Sequence, residues 1–243
     1  MALHLTRIGF ADVEFPTREV YPFCLPVFTS RATIEIRSPL TFFVGENGSG
    51  KTTFLEAIAG KCNIHIWRYS EGARFAPNKY EKALAQFLDV RWSDGPVPGG
   101  FYSSTSHRDF SLLLDEWAAL DPGQLDYFGG KSLMTQSHGQ SVMSLLRSNY
   151  TRRGLFFADE PETALSPVRQ LELARLLTRC VGEGQAQLLI ATHSPILLAC
   201  PGADILSFDG GAIHQVAYEE TEHYRVFRAF MADPAGALSD SSP

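Results

Sequence analysis

GENGSGKT, residues 45–52, decides the architecture of this 243-residue chain. It fits G-x-x-x-x-G-K-[ST], follows the apolar run LTFFV ending at Val44, and opens the helix-forming stretch TTFLEAIAG. Strand, glycine-rich turn and helix in that order make an anion cradle. Glycines let the backbone wrap close to a phosphate, successive N–H groups converge on it, and the helix N-terminus adds its dipole. The turn Gly45, Glu46, Asn47, Gly48, Ser49, Gly50, Lys51, Thr52 and Thr53 is therefore the expected ATP-binding segment. Lys51 is expected to neutralise the β- and γ-phosphates, and the Thr52 hydroxyl to ligate Mg2+.

Working outward, GLFFADE (154–160) is a buried-looking strand that ends in two acids, for which packing gives no reason. Asp159 is expected to hold Mg2+, through water, and Glu160 to act as general base toward the attacking water. A third strand, QLLIAT (187–192), stops at His193, which is placed to donate a hydrogen bond to the γ-phosphate. Lys51, Glu160 and His193 are thus the catalytic candidates, with Thr52 and Asp159 as metal ligands.

Composition agrees with a globular domain: 44% apolar residues, 20% charged, and a net charge of −6. That balance gives no bulk reason to expect tight nucleic-acid binding. Cys24, Cys62, Cys180 and Cys200 form no C-x-x-C pair and have no histidine at metal-ligand spacing. A disulfide framework and a zinc site are excluded in favour of reduced thiols in a cytoplasmic protein. The start, MALHLTRIGFADVEF, lacks the apolar core of a signal peptide, and LLIATHSPILLAC is broken by Thr192, His193 and Pro195. No integral membrane segment is expected.

Strand and helix alternate around 40–60 and 154–207, which predicts a mostly parallel sheet flanked by helices. Residues 1–44 read as strands and turns, with ATIEIRS (32–38) alternating and LTFFVG running apolar into glycine; IHIW (64–67) reads as a short strand. From 68 to 136 aromatics such as Tyr69, Phe75 and Trp117 alternate with punctuation such as SDGPVPGG; helical patterns at 79–89 and 107–120 suggest a small helical subdomain. Further helices are expected at 139–149, from Pro167 to Val181 behind the Ser166 cap, and at 220–231, with short strands near 203–207 and 211–217. One domain, 1–243, then divides into a nucleotide-binding core (1–67 and 150–235), a helical subdomain (68–149) and a flexible tail (236–243).

Gln136-Ser137-His138-Gly139-Gln140 is either a plain helix cap or a surface built to touch phosphate. Ser137 lies 22 residues before Asp159, and His193 lies 33 after Glu160. Phosphate loop, S-x-G-Q, apolar strand with Asp-Glu, then histidine: in that order the chain resembles the ATP-binding-cassette (ABC) class of P-loop ATPases. More narrowly, FFVGENGSGKTT, QSHGQS, DEPETALSP and ATHSPILLA look like small stand-alone bacterial ATPases of AAA/ABC type related to the SMC group. The resemblance spans about residues 22–235. It implies an α/β fold of ABC-ATPase type with an N-terminal antiparallel β region and a small helical subdomain. It also implies that Ser137, Gly139 and Gln140 of one subunit cap the ATP held by another, in an ATP-dependent homodimer.

Three features depart from the transporter pattern. His138 stands where a second glycine is usual, Ser166 where an interface aspartate is common, and no convincing Q-loop glutamine appears. Gln86 sits in a helical pattern; SSTSH (103–107) has the position but lacks the residue type. Tyr21 and Phe23 are equally readable as adenine-stacking or core residues, and Arg147, Arg152 and Arg153 as a solvated surface or an acidic-partner contact. The expected function is a soluble ATPase whose ATP-driven dimerisation acts on an unidentified protein or nucleic-acid partner, in DNA maintenance or defence. The alternatives are the nucleotide-binding subunit of an ABC transporter and a binding module with little turnover.

Overall fold

The computed structural model describes residues 3–29, 33–67, 78–128 and 130–239. In chain order the elements are β1 (Leu5–Phe10), β2 (Ile34–Glu35), β3 (Leu40–Val44), α1 (Lys51–Lys61), β4 (Leu88–Trp92), β5 (Gly99–Ser103), α2 (His107–Leu120) and α3 (His138–Tyr150). They continue with β6 (Gly154–Asp159), α4 (Pro167–Gly182), β7 (Ala186–Ala191), α5 (Pro195–Leu198), β8 (Asp204–Ser207), β9 (His214–Val216), α6 (Glu222–Ala232) and α7 (Pro234–Ala237). A six-stranded sheet runs β5-β6-β7-β3-β8-β9, and a three-stranded antiparallel sheet runs β2-β1-β4. In the larger sheet only the β8–β9 pair is antiparallel. The mostly parallel α/β architecture and the antiparallel N-terminal region are as the sequence predicts.

Every residue of β3, β6 and β7 is buried, because a parallel sheet covered on both faces has no solvent side. Alternate side chains feed two cores. Phe42, Phe156, Ala158, Leu188 and Ile190 pack toward α3 and α4. Phe43, Leu155, Phe157, Leu189 and Ala191 pack toward α1 and β1. The second core is aromatic: Phe54, one turn past the phosphate loop, meets Phe10, Phe28, Phe43 and Phe208 at ring-centroid distances of 5.5–6.0 Å.

A buried polar side chain helps to join the two sheets. Gln187 on β7 is wholly inaccessible to solvent, accepts from the His4 and Leu5 N–H groups at 2.8 and 2.7 Å, and donates to the Leu5 carbonyl at 2.8 Å. Burying an amide costs little when its donor and acceptor atoms are both used.

Several local expectations are corrected. Residues 64–67 form no strand, and only Ile34–Glu35 of the 32–38 run is β; Ala32 lies outside the described residues, as do Tyr69 and Phe75. The helical pattern over 79–89 is turns and a single 3-10 segment, Ala83–Phe87, leading into β4. Leu84, Phe87 and Leu88 have helical spacing, but Leu88, Val90 and Trp92 alternate as a strand against β1. PGGFYSS, expected as loop, supplies β5 at the edge of the main sheet. Gly99 hides that strand in the sequence, yet a Cβ there would sit 2.0 Å from the Leu155 carbonyl, so only glycine fits. The first part of the 68–149 segment is thus woven into both sheets, and the helical part begins at α2. Within the 236–243 tail, residues 236–237 close α7 and 240–243 lie outside the described residues.

Candidate functional site

The phosphate loop links the C-terminal end of β3, inside the main sheet, to α1. Gly45 and Gly50 take φ values of 143° and 103°, which side-chain-bearing residues rarely adopt. At Gly50 a Cβ would also meet Leu25 and Phe28 at 3.0 Å, so both the close packing and the positive φ call for glycine there. Lys51 is buried; its Nζ donates to the Gly45 and Glu46 carbonyls at 2.6 and 3.0 Å, curling the loop around the ammonium. Burial holds its pKa below the ordinary 10.5, with Glu160, Asp209 and Asp159 opposing. The buried Ser49 hydroxyl has no protein partner, as expected of a group reserved for an anion. Beside the loop, a cleft of about 960 Å3 is bounded by Glu46–Ser49, Asp209–Gly211 and the start of α6.

Thr52 and Asp159, the two expected metal ligands, are brought together from 107 residues apart. The Thr52 hydroxyl contacts both Asp159 carboxylate oxygens, at 2.9 and 3.1 Å. Burial pushes the Asp159 carboxyl up to about 7, against the Thr52 hydrogen bond, which lowers it. A buried carboxylate and a hydroxyl are hard oxygen donors suited to Mg2+, which takes one or two protein oxygens and completes its shell with phosphates and water. No cluster of three or more His, Cys, Asp or Glu side chains suited to a metal occurs among the described residues. The residues present therefore fit Mg2+ bound together with a nucleotide.

Glu160 follows at φ 48°, in the left-handed region that non-glycine residues rarely enter. Its N–H donates to the Ala191 carbonyl at 2.9 Å, which fixes the turn. Glu160 Oε1 lies 3.8 Å from Nε2 of His193. His193 is held from both sides: its N–H donates to Glu162 Oε1 at 2.7 Å, and Nδ1 lies 3.0 Å from Nε2 of His223. Its buried Nε2 has no hydrogen-bond partner. The structure brings Lys51, Thr52, Asp159, Glu160 and His193 together.

Ser137, Gly139 and Gln140 do not join them. They form the exposed first turn of α3, where Gln140 Oε1 accepts from the Ser137 N–H at 3.1 Å, the returning half of a capping box. Gln136 and Gln140 line a separate groove with Lys131, Arg147 and Arg169. A Cβ on Gly139 would lie 3.1 Å from the Ala164 carbonyl, so glycine lets this turn press against the segment that follows Glu160. Phe23 is fully buried against Phe15, Tyr80 and Phe87, which makes it a core residue. Tyr21 is 41% exposed, and its hydroxyl hydrogen-bonds Thr53 beside the phosphate loop. Ser103 pairs with Asp159 at the end of β5, so SSTSH does occupy the position next to the metal-ligand candidate. Arg147 is 3.8 Å from Glu172, a surface ion pair. Cys24 is exposed and the other three thiols are buried; burial pushes Cys62 up to about 12.

Sequence reasoning missed Glu162, Asp209 and His223. Asp209 Oδ1 accepts from the Glu46 N–H at 2.9 Å and steadies the mouth of the loop. Glu162 was visible only as wording, and the other two are far from any motif. No helix among the described residues is long and apolar enough to cross a membrane.

Comparison with known proteins covers both halves of this site. A family model described as "AAA domain" matches residues 25–61. Another, described as "AAA domain, putative AbiEii toxin, Type IV TA system", matches residues 140–199. The thiamine import ATP-binding protein ThiQ of Ruegeria sp. (strain TM1040) is 27% identical over 63% of this chain and 69% of its own length. The aliphatic sulfonates import ATP-binding protein SsuB of Mycobacterium avium (strain 104) is 28% identical over 79% of each chain. Among solved structures, the SMC head domain from Thermotoga maritima aligns over 88% of this chain and 99% of its own, with a TM-score of 0.46 and 14% identity. The cbiO1 structure from Clostridium perfringens aligns over 85% and 89%, with a TM-score of 0.48 and 17% identity. One sequence match lies over the phosphate loop, another over the acids and the histidine, and ATP-binding relatives span much of the chain; together these similarities support a P-loop ATPase of the ABC/AAA type.

Proposed function

We propose that the chain hydrolyses Mg·ATP at a head-to-tail homodimer interface and uses ATP-driven dimerisation to act on a protein or nucleic-acid partner in the cytoplasm. One observation carries this reading: the catalytic groups lie together, while Ser137 and Gln140 are exposed and Gln140 lines a different groove. The exposed N-terminus of α3 suits a phosphate presented by a second copy. Residues 1–67 and 150–235, extended by β4 and β5, are assigned to the nucleotide-binding core, and α2–α3 to the unit that meets the other subunit.

In this mechanism Lys51 and the loop N–H groups neutralise and orient the phosphates. Glu160 takes the proton from a water in line with the γ-phosphate, and His193 Nε2–H donates to that phosphate. Ser137, the Gly139 N–H and Gln140 of the second copy close the site and exclude water. Mg2+, held by Thr52 and Asp159, supplies charge neutralisation at the β- and γ-oxygens when bound.

Mixing two inactive variants tests the geometry. Lys51→Ala lacks a working phosphate loop, and Ser137→Arg lacks a working cap. In a head-to-tail dimer, half of the randomly mixed dimers regain one of two sites, so mixing should restore roughly a quarter of wild-type ATPase. No recovery would contradict the shared site. The AAA model that matches 140–199, whose description names a toxin system, favours a defence role. The names of the import ATP-binding relatives favour the alternative, a transporter subunit. Against it stand His138 in the cap and the lack of a glutamine in SSTSH; co-purification with a polytopic membrane protein would decide for it. An ATPase rate no higher in the wild type than in Lys51→Ala would mean a binding module.

A further inference from the structure

His223 lies outside every motif, on the first turn of α6, yet its Nε2 is 3.0 Å from Nδ1 of His193. Both rings are fixed by their backbones. Thr221 is buried, caps α6 by accepting from the Tyr224 N–H at 3.2 Å, and donates to the Tyr218 carbonyl at 2.7 Å. His193 is anchored through its N–H on Glu162. The ring centroids are 5.2 Å apart with the planes tilted by 49°.

Two neutral imidazoles share one proton in such a contact, and electrostatics decides which ring donates it. Burial and the nearby Lys51 push both below the ordinary imidazole value, which favours the neutral rings. Were His193 Nδ1–H the donor, its Nε2 lone pair would face the Glu160 carboxylate, 3.8 Å away, and a lone pair facing an anion is repelled. With His223 donating, the His193 proton sits on Nε2 and faces that carboxylate. The same Nε2 is buried and has no protein partner, which leaves its proton for a phosphate oxygen.

We propose that His223 is a positioning residue for hydrolysis: its Nε2–H donates to His193 Nδ1 and holds the His193 proton on Nε2, toward Glu160 and the terminal phosphate. This rests on the reading of His193 as the γ-phosphate donor. The role parallels the carboxylate or carbonyl that fixes the tautomer of a metal-bound histidine. It also ties α6 to the hydrolytic site.

The test is a double-mutant cycle with a spectroscopic arm. His223→Ala should lower kcat about ten-fold, the scale of lost second-layer orientation, with KM for ATP unchanged. His223→Gln, whose amide can donate from a similar position, should recover part of that loss. His193→Ala/His223→Ala should be no slower than His193→Ala alone, because His223 acts only through His193. In 15N-histidine spectra the His193 tautomer should be Nε2–H in the wild type and mixed in His223→Ala. Unchanged kcat in His223→Ala, an additive loss in the double variant, or an Nδ1–H tautomer in the wild type would each overturn the proposal. Full activity in His193→Ala would sink the reading of His193 itself, and is recognisable without touching His223. Matching thermal melts of all variants exclude misfolding as the cause.

Discussion

At the scale of single residues, chemistry is written in backbone strain and in protons. Glu160 at φ 48° holds a conformation that costs a non-glycine residue free energy and persists because its surroundings impose it, and it stands where phosphate chemistry is expected. His107 carries a different cost. Its Nε2 is 2.8 Å from the Ser141 hydroxyl, which itself donates to the His138 carbonyl at 2.8 Å. The serine has one proton, so His107 Nε2–H is the donor, and Nδ1 is left buried without a partner. Burial first, then His138, lowers the His107 pKa from 6.5 to about 4. The folded chain then binds fewer protons here than the unfolded chain between those values. The stability this gives is present above pH 6.5 and is lost as pH falls through 4, about 3 kcal/mol in all. Urea melts at pH 7 and 4.5 should show a steeper loss for wild type than for His107→Gln; parallel losses would remove His107 from the account. What was legible at this scale follows a rule. Lys51, Thr52, Asp159, Glu160 and His193 announce themselves because a turn or strand end next to them demands particular neighbours in sequence. Glu162, Asp209 and His223 do not, because their partners lie 31, 163 and 30 residues away and only the fold supplies them.

At the scale of elements, legibility tracked burial. The strands β3, β6 and β7 are apolar throughout and were readable as buried strands in a parallel sheet. β5 was not, since the glycines that let it approach β6 also remove the apolar signal. β4 was misread because three apolar residues at helical spacing precede its own alternation. Gln187 was invisible for the opposite reason: a glutamine within a strand reads as a surface position, yet it is the clasp between the two sheets. Gln187→Leu should therefore leave two buried N–H groups and a carbonyl unpaired and cost about 2–4 kcal/mol. Chemical denaturation of the two proteins measures that difference. A change below about 1 kcal/mol would mean that β1 stays docked on β7 without the clasp.

At the scale of the whole molecule, the site is chemically equipped but open. Phosphate loop, acids and His193 gather at the C-terminal ends of the parallel strands, where α/β sheets hold their ligands. The S-x-G-Q turn is exposed at Ser137 and Gln140, and the Ser137 N–H is taken up by Gln140 Oε1 within the same turn. A two-fold dimer would bring each turn over the other chain's nucleotide and so make hydrolysis depend on assembly. Sequence order alone suggested this division of labour; the distances within each half needed the fold. The most direct measurement is the light-scattering mass of Glu160→Gln with and without Mg·ATP. The account predicts that the mass doubles with ATP, and that Ser137→Arg placed in the same chain abolishes the doubling. An unchanged mass at saturating ATP would contradict the shared site and leave QSHGQS as a helix cap alone.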